Sequence, residues 1–251
     1  MKPLMRWLGL LIAAALALQL FFVARIAVMA RLDPQSTAFQ RSEAWRLQRE
    51  KGRLPWRQRW VPYERISDKL KQAVIASEDD GFSNHDGVDW DALEKAWQKN
   101  ARAEAQAAKA QASRKPAATT SGRPAARAPK VVGGSTITQQ LAKNLFLSGE
   151  RTLLRKGQEF VLTLLLETLL DKQRILEIYL NSVEWGEGVF GAEAAAQHYF
   201  RKPASALSAY EAARLAVMLP RPKYFEKLPN SGYLAERAQH IAGRLGSAEL
   251  P

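Results

Sequence analysis

The longest apolar stretch of the chain lies at its start, over residues 7–24, where Gln19 is the only polar side chain. Eighteen such residues are close to the length that spans the hydrocarbon of a bilayer as a helix, so we expect a membrane anchor over residues 1–30. Lys2 and Arg6 precede the run, which predicts a cytoplasmic N-terminus and a C-terminal part outside. A cleaved signal peptide is the alternative; the length of the run and the lack of a small-x-small cleavage site favour the anchor.

The next stretch, residues 31–65, is rich in arginine and tryptophan, and Pro55 and Pro62 prevent a long helix. We interpret it as a juxtamembrane connector. Its tryptophans, Trp45, Trp56 and Trp60, suit either a lipid interface or packing on the following domain.

Helical periodicity begins after Ser67 and runs into Glu78. Five later segments also have helical patterns, and the β-branched alternation of strands is almost absent. These segments are GGSTITQQLAKNLFL, RKGQEFVLTLLLETLL, KQRILEIYLN, GVFGAEAAAQHYF and SAYEAARLAVMLP. The fold class is therefore predicted to be mainly α, with one catalytic-sized domain over residues 66–245.

The distribution of charge sets residues 99–130 apart from the predicted helical domain. The chain carries +12, which favours anionic partners, but residues 99–130 alone hold eight basic residues and one acidic residue, with twelve alanines and three prolines. This segment is unable to form a core, so we expect a flexible basic insert with a short helix near 99–112. Nucleic-acid binding by the insert is excluded if the domain lies outside the membrane.

Metal chemistry has few candidate ligands. The chain contains no cysteine, three histidines and no HExxH motif, so a thiolate or imidazole metal centre is not expected. A divalent ion would have to be held by carboxylates and phosphate oxygens.

The segment 155–170 is apolar nearly all round and is therefore predicted to be buried. Glu159, Thr163 and Glu167 nevertheless form one polar stripe at i, i+4, i+8. Two interpretations remain open: the stripe is the wall of a cleft, or Arg155 and Glu159 form an ion pair on a solvated edge.

In the GGSTITQQLAKN segment, Thr136 and Gln139 have the spacing of a capping box, which predicts a helix start. Its amides and the hydroxyls of Ser135 and Thr136 can meet an anion, although a plain capped helix is the simpler reading. A basic cluster follows within fourteen residues, which suits a phosphate-bearing ligand or a solvated face. It consists of Lys143, Arg151, Arg155 and Lys156.

The stretch EDDGFSNHDGVDWD, residues 78–91, places six acidic residues where a helix opens into a loop. Glu78, at the helix end and near Phe82, is the kind of carboxylate whose pKa can be tuned for general base chemistry. Some of the acids should pair with the basic cluster, and loop capping or surface charge is the favoured role for at least two of Asp79, Asp80, Asp86 and Asp91.

In this order the segments closely resemble the glycosyltransferase family 51 domain, the peptidoglycan glycosyltransferases, over roughly residues 60–235. Five motifs carry the resemblance. They are ED-x-x-F-x-x-H-x-G-x-D from Glu78 to Asp89, GGSTITQQ-x-x-KN from Gly133 to Asn144, RK-x-x-E from Arg155 to Glu159, RILE-x-YLN from Arg174 to Asn181, and GAEAAA-x-x-YF from Gly191 to Phe200.

The resemblance implies a lysozyme-like, two-lobed helical domain that polymerises lipid II onto a lipid-linked glycan chain. It implies that Glu78 is the general base for the acceptor hydroxyl, and that Glu159 is the second carboxylate, near the leaving diphosphate. A divalent cation, Mg²⁺ or Mn²⁺, is an optional occupant there, and no cofactor is required. The remaining residues implied to bind substrate are Asp79, Phe82, His85, Ser135, Thr136, Gln139, Gln140, Lys143, Asn144, Arg151, Arg155 and Lys156.

The chain departs from the family pattern in its long insert, and no S-x-x-K or K-T-G motif of a transpeptidase occurs. It therefore resembles the monofunctional form, an inner-membrane protein with the catalytic domain in the periplasm and with cell-wall synthesis or division proteins as expected partners. The rival hypotheses are a lysozyme-like hydrolase or lytic transglycosylase with Glu78 as general acid, and a non-enzymatic anchored binding protein.

Overall fold

The computed structural model describes residues 2–112, 134–150 and 152–251, and this part of the chain is mainly helical, as predicted. Its helices are α1 (Lys2–Met29), α2 (Ala38–Lys51), α3 (Asp68–Glu78), α4 (Trp90–Ala112), α5 (Ile137–Phe146), α6 (Leu153–Leu169), α7 (Lys172–Ser182), α8 (Ala192–Phe200), α9 (Ala209–Met218), α10 (Pro222–Phe225) and α11 (Gly232–Ala242). Its strands are β1 (Arg57–Gln58), β2 (Glu184–Gly186) and β3 (Val189–Phe190). All five helical segments predicted after the insert are confirmed, as α5 to α9.

Helix α5 begins as its capping box predicts. The Thr136 hydroxyl accepts a hydrogen bond from the Gln139 amide, and the Gln139 side chain accepts one from the Thr136 amide. Two of the unpaired amides at the helix start are thereby satisfied.

The sequence pattern did not indicate the small sheet, which has the strand order β1-β3-β2. Strand β1 pairs in parallel with β3, Arg57 opposite Val189, and β2 pairs antiparallel with β3 across an irregularity between Glu184 and Gly186. Strands of two or three residues are too short to show an alternation of apolar and polar positions.

Helix α1 contains a 27-residue apolar segment, Pro3–Met29, the one helix in the described residues that is long and apolar enough to cross a membrane. It fits a single-pass anchor. At 1.5 Å per residue the segment is about 40 Å long, about 10 Å more than the hydrocarbon core. Its last turns pack into the domain, because Phe22, Ile26 and Met29 are buried in the main core cluster.

Helix α2 lies within the segment predicted to be a connector, and it is packed into the domain. Leu47 is fully buried, α2 contacts α5, and the Gln40 side chain donates a hydrogen bond to the carbonyl of Ser182 at 3.2 Å. Trp56 stacks on Phe190 with ring centroids 4.4 Å apart. Residues 38–51 are therefore part of the folded unit as well as a link to the anchor.

The prediction that the segment 155–170 is buried holds for only one face of α6. Leu162 and Leu166 are buried, but Phe160, Val161 and Leu164 are each about two-fifths exposed. The physical reason is that α6 lies at the edge of the domain, where it contacts the anchor helix α1 as well as α5.

The described chain divides into two compact units, residues 1–88 with 136–251, and residues 89–135. The second unit is built on α4, whose first turn is capped by the Asp89 carboxylate, which accepts a hydrogen bond from the Ala92 amide at 2.8 Å. The helix expected near 99–112 is present as the C-terminal half of α4. The rest of the predicted flexible insert lies outside the described residues.

Candidate active site

Glu78 is the last residue of α3, so its carboxylate stands where the helix gives way to the acidic loop. Its Oε2 accepts a hydrogen bond from the Gln140 side-chain nitrogen on α5 at 3.0 Å. Burial raises the pKa of Glu78; the Gln140 hydrogen bond and Lys143 oppose the rise, and the charge of Asp79 adds to it. A carboxylate with a raised pKa is a better proton acceptor than an ordinary one.

Asp79, the next residue, is buried and is bound at both oxygens. Oδ1 lies 2.8 Å from Nε2 of His85, and Oδ2 accepts a hydrogen bond from the Ile137 amide in the first turn of α5 at 2.9 Å. A carboxylate is stabilised at a helix N-terminus by the unpaired amides and the helix dipole. Asp79 therefore fixes the start of α5 beside the end of α3, which brings Gln140 to Glu78.

The loop after Asp79 is held by the same frame. The Gly87 amide donates to Nδ1 of His85 at 3.1 Å, and the Thr136 hydroxyl donates to the Gly87 carbonyl at 2.7 Å. Both ring nitrogens of His85 are thus engaged within the protein. The substrate-binding roles predicted for Asp79, His85, Thr136 and Gln139 stay predictions; in the structure these side chains hold the site together.

Phe82 was also predicted to bind substrate, and its position does not support direct contact. The side chain is fully buried in the core cluster, with the Lys172 ammonium 4.6 Å from its ring centroid. Because its apolar ring is removed from water, Phe82 stabilises the core by packing. Among the other acids of this loop, Asp80 is exposed and pairs with Arg244 at 3.0 Å, away from the predicted basic cluster.

For Glu159, the structure shows the ion pair of one interpretation of the polar stripe on α6, but not its solvated edge. Glu159 does pair with Arg155, at 3.1 Å, and also with Lys156, at 2.5 Å. The edge is not solvated, because Glu159 is only 4% exposed. One buried carboxylate thus holds two cations in place, and the Nε of Arg155 is buried without a hydrogen-bond partner in the described residues.

The predicted residues Gln140, Lys143, Asn144 and Arg155 line one cavity of about 590 Å³. Part of the Lys143 side chain is open to solvent. Its partial burial in the cavity wall lowers its pKa; Arg155 and Lys156 add to this effect, and Glu159 and Glu78 oppose it. This side of the cavity presents amide groups and positive charge, as an anionic ligand requires.

The cavity wall also contains acidic residues, which the sequence interpretation missed. Glu43 on α2 and Glu184 on β2 also line the cavity, and Lys223 on α10 forms ion pairs with both. Burial, followed by the charge of Glu43, raises the pKa of Glu184 to about 7, although Lys223 opposes the rise. Burial would also raise the pKa of Glu43, but hydrogen bonds from Arg46 and Lys223 outweigh it and lower that pKa.

Three of the predicted residues remain. Lys156 is more than half exposed beyond its contact with Glu159. Ser135 is exposed and belongs to the unit of residues 89–135. Arg151 lies outside the described residues.

The donor set near Glu159 does not fit a divalent ion well. Both of its oxygens are already bound to Arg155 and Lys156, and Mg²⁺ is usually held by free carboxylates together with phosphate oxygens. In the described part of the chain, no group of three or more His, Cys, Asp or Glu side chains is arranged to hold a metal.

A helical domain in which a partly buried glutamate with a raised pKa stands next to a cation-lined cavity has the features of an enzyme domain. Residues 48–113 and 117–246 match the model of the transglycosylase family, and the chain belongs to this family, whose domain is lysozyme-like.

Relatives match over nearly the whole chain. A protein of Burkholderia thailandensis is 55% identical over 98% of this chain and 88% of its own length. One of Burkholderia pseudomallei is 53% identical with the same coverage, and one of Paraburkholderia xenovorans is 51% identical over 98% of this chain and 93% of its own. Each bears the name biosynthetic peptidoglycan transglycosylase.

Proposed function

We propose that the chain is a peptidoglycan glycosyltransferase that polymerises lipid II into β-1,4-linked glycan strands and has no transpeptidase activity. Membership of the transglycosylase family and the names of the relatives support the reaction class. One structural observation carries the assignment of roles. Gln140 holds the carboxylate of Glu78 and also lines the cavity that Lys143 and Arg155 line.

In the proposed reaction Glu78 removes the proton from the 4-hydroxyl of the acceptor sugar. The resulting oxygen nucleophile attacks the anomeric carbon of the donor, the bond from that carbon to the diphosphate oxygen breaks, and the configuration inverts. Polyprenyl diphosphate leaves with the electron pair of the broken bond. A base with a raised pKa suits the first step, because it is a stronger proton acceptor than an ordinary carboxylate.

The cations stabilise the leaving diphosphate. Negative charge grows on the diphosphate as the bond breaks, and positive groups placed beforehand lower the energy of that state. Lys143, Arg155 and Lys156 supply the charge, and Lys143 and Arg155 line the cavity itself. Glu159 keeps Arg155 and Lys156 in position. No divalent ion enters the proposed steps, since Glu159 is occupied by these two cations.

The membrane placement belongs to the same proposal. Lys2 and Arg6, which lie at the start of α1 before its apolar run, support a cytoplasmic N-terminus. The domain would then lie in the periplasm, anchored to a bacterial inner membrane. Lipid II and the lipid-linked glycan are then confined to the membrane that holds the enzyme. A reporter fused to the C-terminus, active only in one compartment, tests the orientation. Proteins of cell-wall synthesis or division remain expected partners.

The deciding experiment incubates purified full-length protein with lipid II in detergent, with Glu78→Gln in parallel. Polymer is followed on a gel and identified by digestion with lysozyme. We expect the wild type to make lysozyme-sensitive polymer and the variant to make none. If the wild type instead degrades finished, lipid-free glycan and makes no polymer, the hydrolase hypothesis replaces the transferase. If the variant polymerises normally, Glu78 is not the base.

A further inference from the structure

The side chain of Gln140 is hydrogen-bonded at both ends. Its nitrogen donates to Oε2 of Glu78, and its oxygen accepts a hydrogen bond from the hydroxyl of Tyr179 on α7, each at 3.0 Å. The three side chains come from α3, α5 and α7, so the chain of hydrogen bonds crosses three helices.

Tyr179 is fully buried, and it lies in the RILE-x-YLN segment. Burial, with the nearby charges of Glu78 and Asp79, raises its pKa well above the ordinary value, so the hydroxyl keeps its proton. A buried hydroxyl needs an acceptor, and Tyr179 finds it in the oxygen of Gln140.

This contact decides which way the amide faces. The oxygen and nitrogen of a glutamine side chain are similar in shape, and only their hydrogen bonds distinguish the two orientations. With the oxygen facing the tyrosine hydroxyl, the N–H group faces Glu78. The reversed amide would put an oxygen against the carboxylate and leave the hydroxyl proton without its acceptor, which is costly in a buried site.

We propose that Tyr179 is a positioning residue for the reaction: it fixes the Gln140 amide so that its N–H group holds Glu78 in the ionised state and in one orientation. The inference rests on the proposed function insofar as Glu78 is the base. Tyr179 itself does not touch the substrate in this account; it acts through Gln140.

The other charged groups that face Glu78 are Asp79, which disfavours its ionised form, and Lys143, which favours it. Neither contacts the hydroxyl of Tyr179 through a hydrogen bond, since Asp79 is bound to His85 and Ile137. Removing the hydroxyl therefore changes the amide contact while both charges stay in place.

The test is Tyr179→Phe, which deletes one oxygen and keeps the ring. Loss of the ordered N–H contact raises the pKa of Glu78, so we expect the acid limb of the kcat/KM profile to move to higher pH by about one pH unit. Near neutral pH this gives a loss of up to about tenfold, which recovers at higher pH. A purely structural defect would lower the whole profile without moving the limb.

Two variants complete the design. Tyr199→Phe is the control: it removes a tyrosine hydroxyl that is partly buried and donates to the Trp185 carbonyl at 2.8 Å. This variant should leave the acid limb of the kcat/KM profile unmoved. Gln140→Met removes both contacts and should move the limb at least as far as Tyr179→Phe, and the double variant should move it no further than Gln140→Met. If Tyr179→Phe fails to fold, the Gln140→Met profile decides, and an unmoved limb there overturns the proposal.

A second readout separates this inference from the proposed function. The carboxyl carbon of Glu78 is titrated by ¹³C NMR in the labelled full-length protein and in Tyr179→Phe, with Glu78→Gln used to assign the signal. A higher pKa in Tyr179→Phe supports the inference even if no polymer forms in any assay. Equal titration of the two proteins overturns it, even if the wild type polymerises lipid II.

Discussion

The ammonium nitrogen of Lys223 lies 3.3 Å from Oε1 of Glu184, and this ion pair does not offset the burial of the carboxyl group. Lys223 also contacts Glu43, so its charge is shared between two carboxylates. The pKa of Glu184 is consequently about 7, against an ordinary value of 4.5.

The first prediction concerns stability against pH. Between pH 4.5 and about 7 the folded protein holds a proton on Glu184 that the unfolded chain has lost, so stability falls as pH rises through this window. The penalty above it is about 3 kcal/mol. Glu184→Gln should raise the thermal midpoint in detergent at pH about 8 and change it little at pH about 5. Glu50→Gln, at an exposed carboxylate on α2, is the control. An equal effect of Glu184→Gln at both pH values would contradict the assignment.

The second prediction concerns Lys143. Because its pKa is lowered, its ammonium loses its charge at a lower pH than an ordinary lysine does. We expect this loss to set the alkaline limb of kcat/KM for polymerisation. Lys143→Arg should keep partial activity and move the limb to higher pH, since a guanidinium stays charged. Lys143→Ala should lower kcat/KM by about 100-fold. An alkaline limb that is the same in Lys143→Arg and in the wild type would rule out this role.

The third prediction concerns Gly87, in the loop held by His85. Its φ is +83°, and a Cβ at this position would lie 2.7 Å from Thr163 and 2.8 Å from Glu167. Gly87→Ala should destabilise the protein by about 3 kcal/mol, through both backbone strain and overpacking. Gly52 is the control: its φ is also positive, at +62°, but a Cβ there would have no atom within 4 Å. Gly52→Ala should therefore lower the stability only by the backbone strain, about 1 kcal/mol. Thermal midpoints that fall equally for the two variants would contradict the clash.

The fourth prediction concerns the anchor. The side-chain amides of Gln19 on α1 and Gln158 on α6 donate to each other, at 3.0 and 3.3 Å. Such pairs are worth about 1 kcal/mol in a membrane protein. Gln19→Leu and Gln158→Leu should each lower the thermal midpoint, because each strands the partner amide, and the double variant should lose less than the sum. Additive losses in this double-mutant cycle would show that the two amides are not coupled.

The sequence was most informative where local chemistry decides structure. The capping box at Thr136 and Gln139 needs only four consecutive residues, and α5 begins there. The ion pair of Arg155 with Glu159 follows from helical spacing alone. Helical spacing did not predict that Glu159 is buried, because burial depends on which elements pack against α6.

Contacts distant in sequence were harder to foresee. Glu184 lies between two large apolar residues, Val183 and Trp185, and follows the helical RILE-x-YLN segment, but this local pattern does not distinguish a buried carboxyl from an exposed one. The sequence around Glu43 did not predict its position in the cavity wall, because that position depends on the packing of α2 against α5. The Tyr179 hydroxyl is similar: the residue was visible in a motif, but its contact with Gln140 joins positions 39 residues apart.

Under the proposed function, the burial of Phe22, Ile26 and Met29 in the main core would make the encounter with substrate a matter of lateral diffusion in the membrane. A domain on a loose tether would sample many heights and tilts above the bilayer, and only some of them would meet a lipid-linked sugar. Here the last turns of α1 and Glu78 belong to one compact unit, so insertion of α1 in a membrane would restrict the height and tilt of the cavity. If the chain polymerises lipid II as proposed, its turnover should depend on the surface density of lipid II in the leaflet that the cavity faces rather than on the bulk concentration of lipid II.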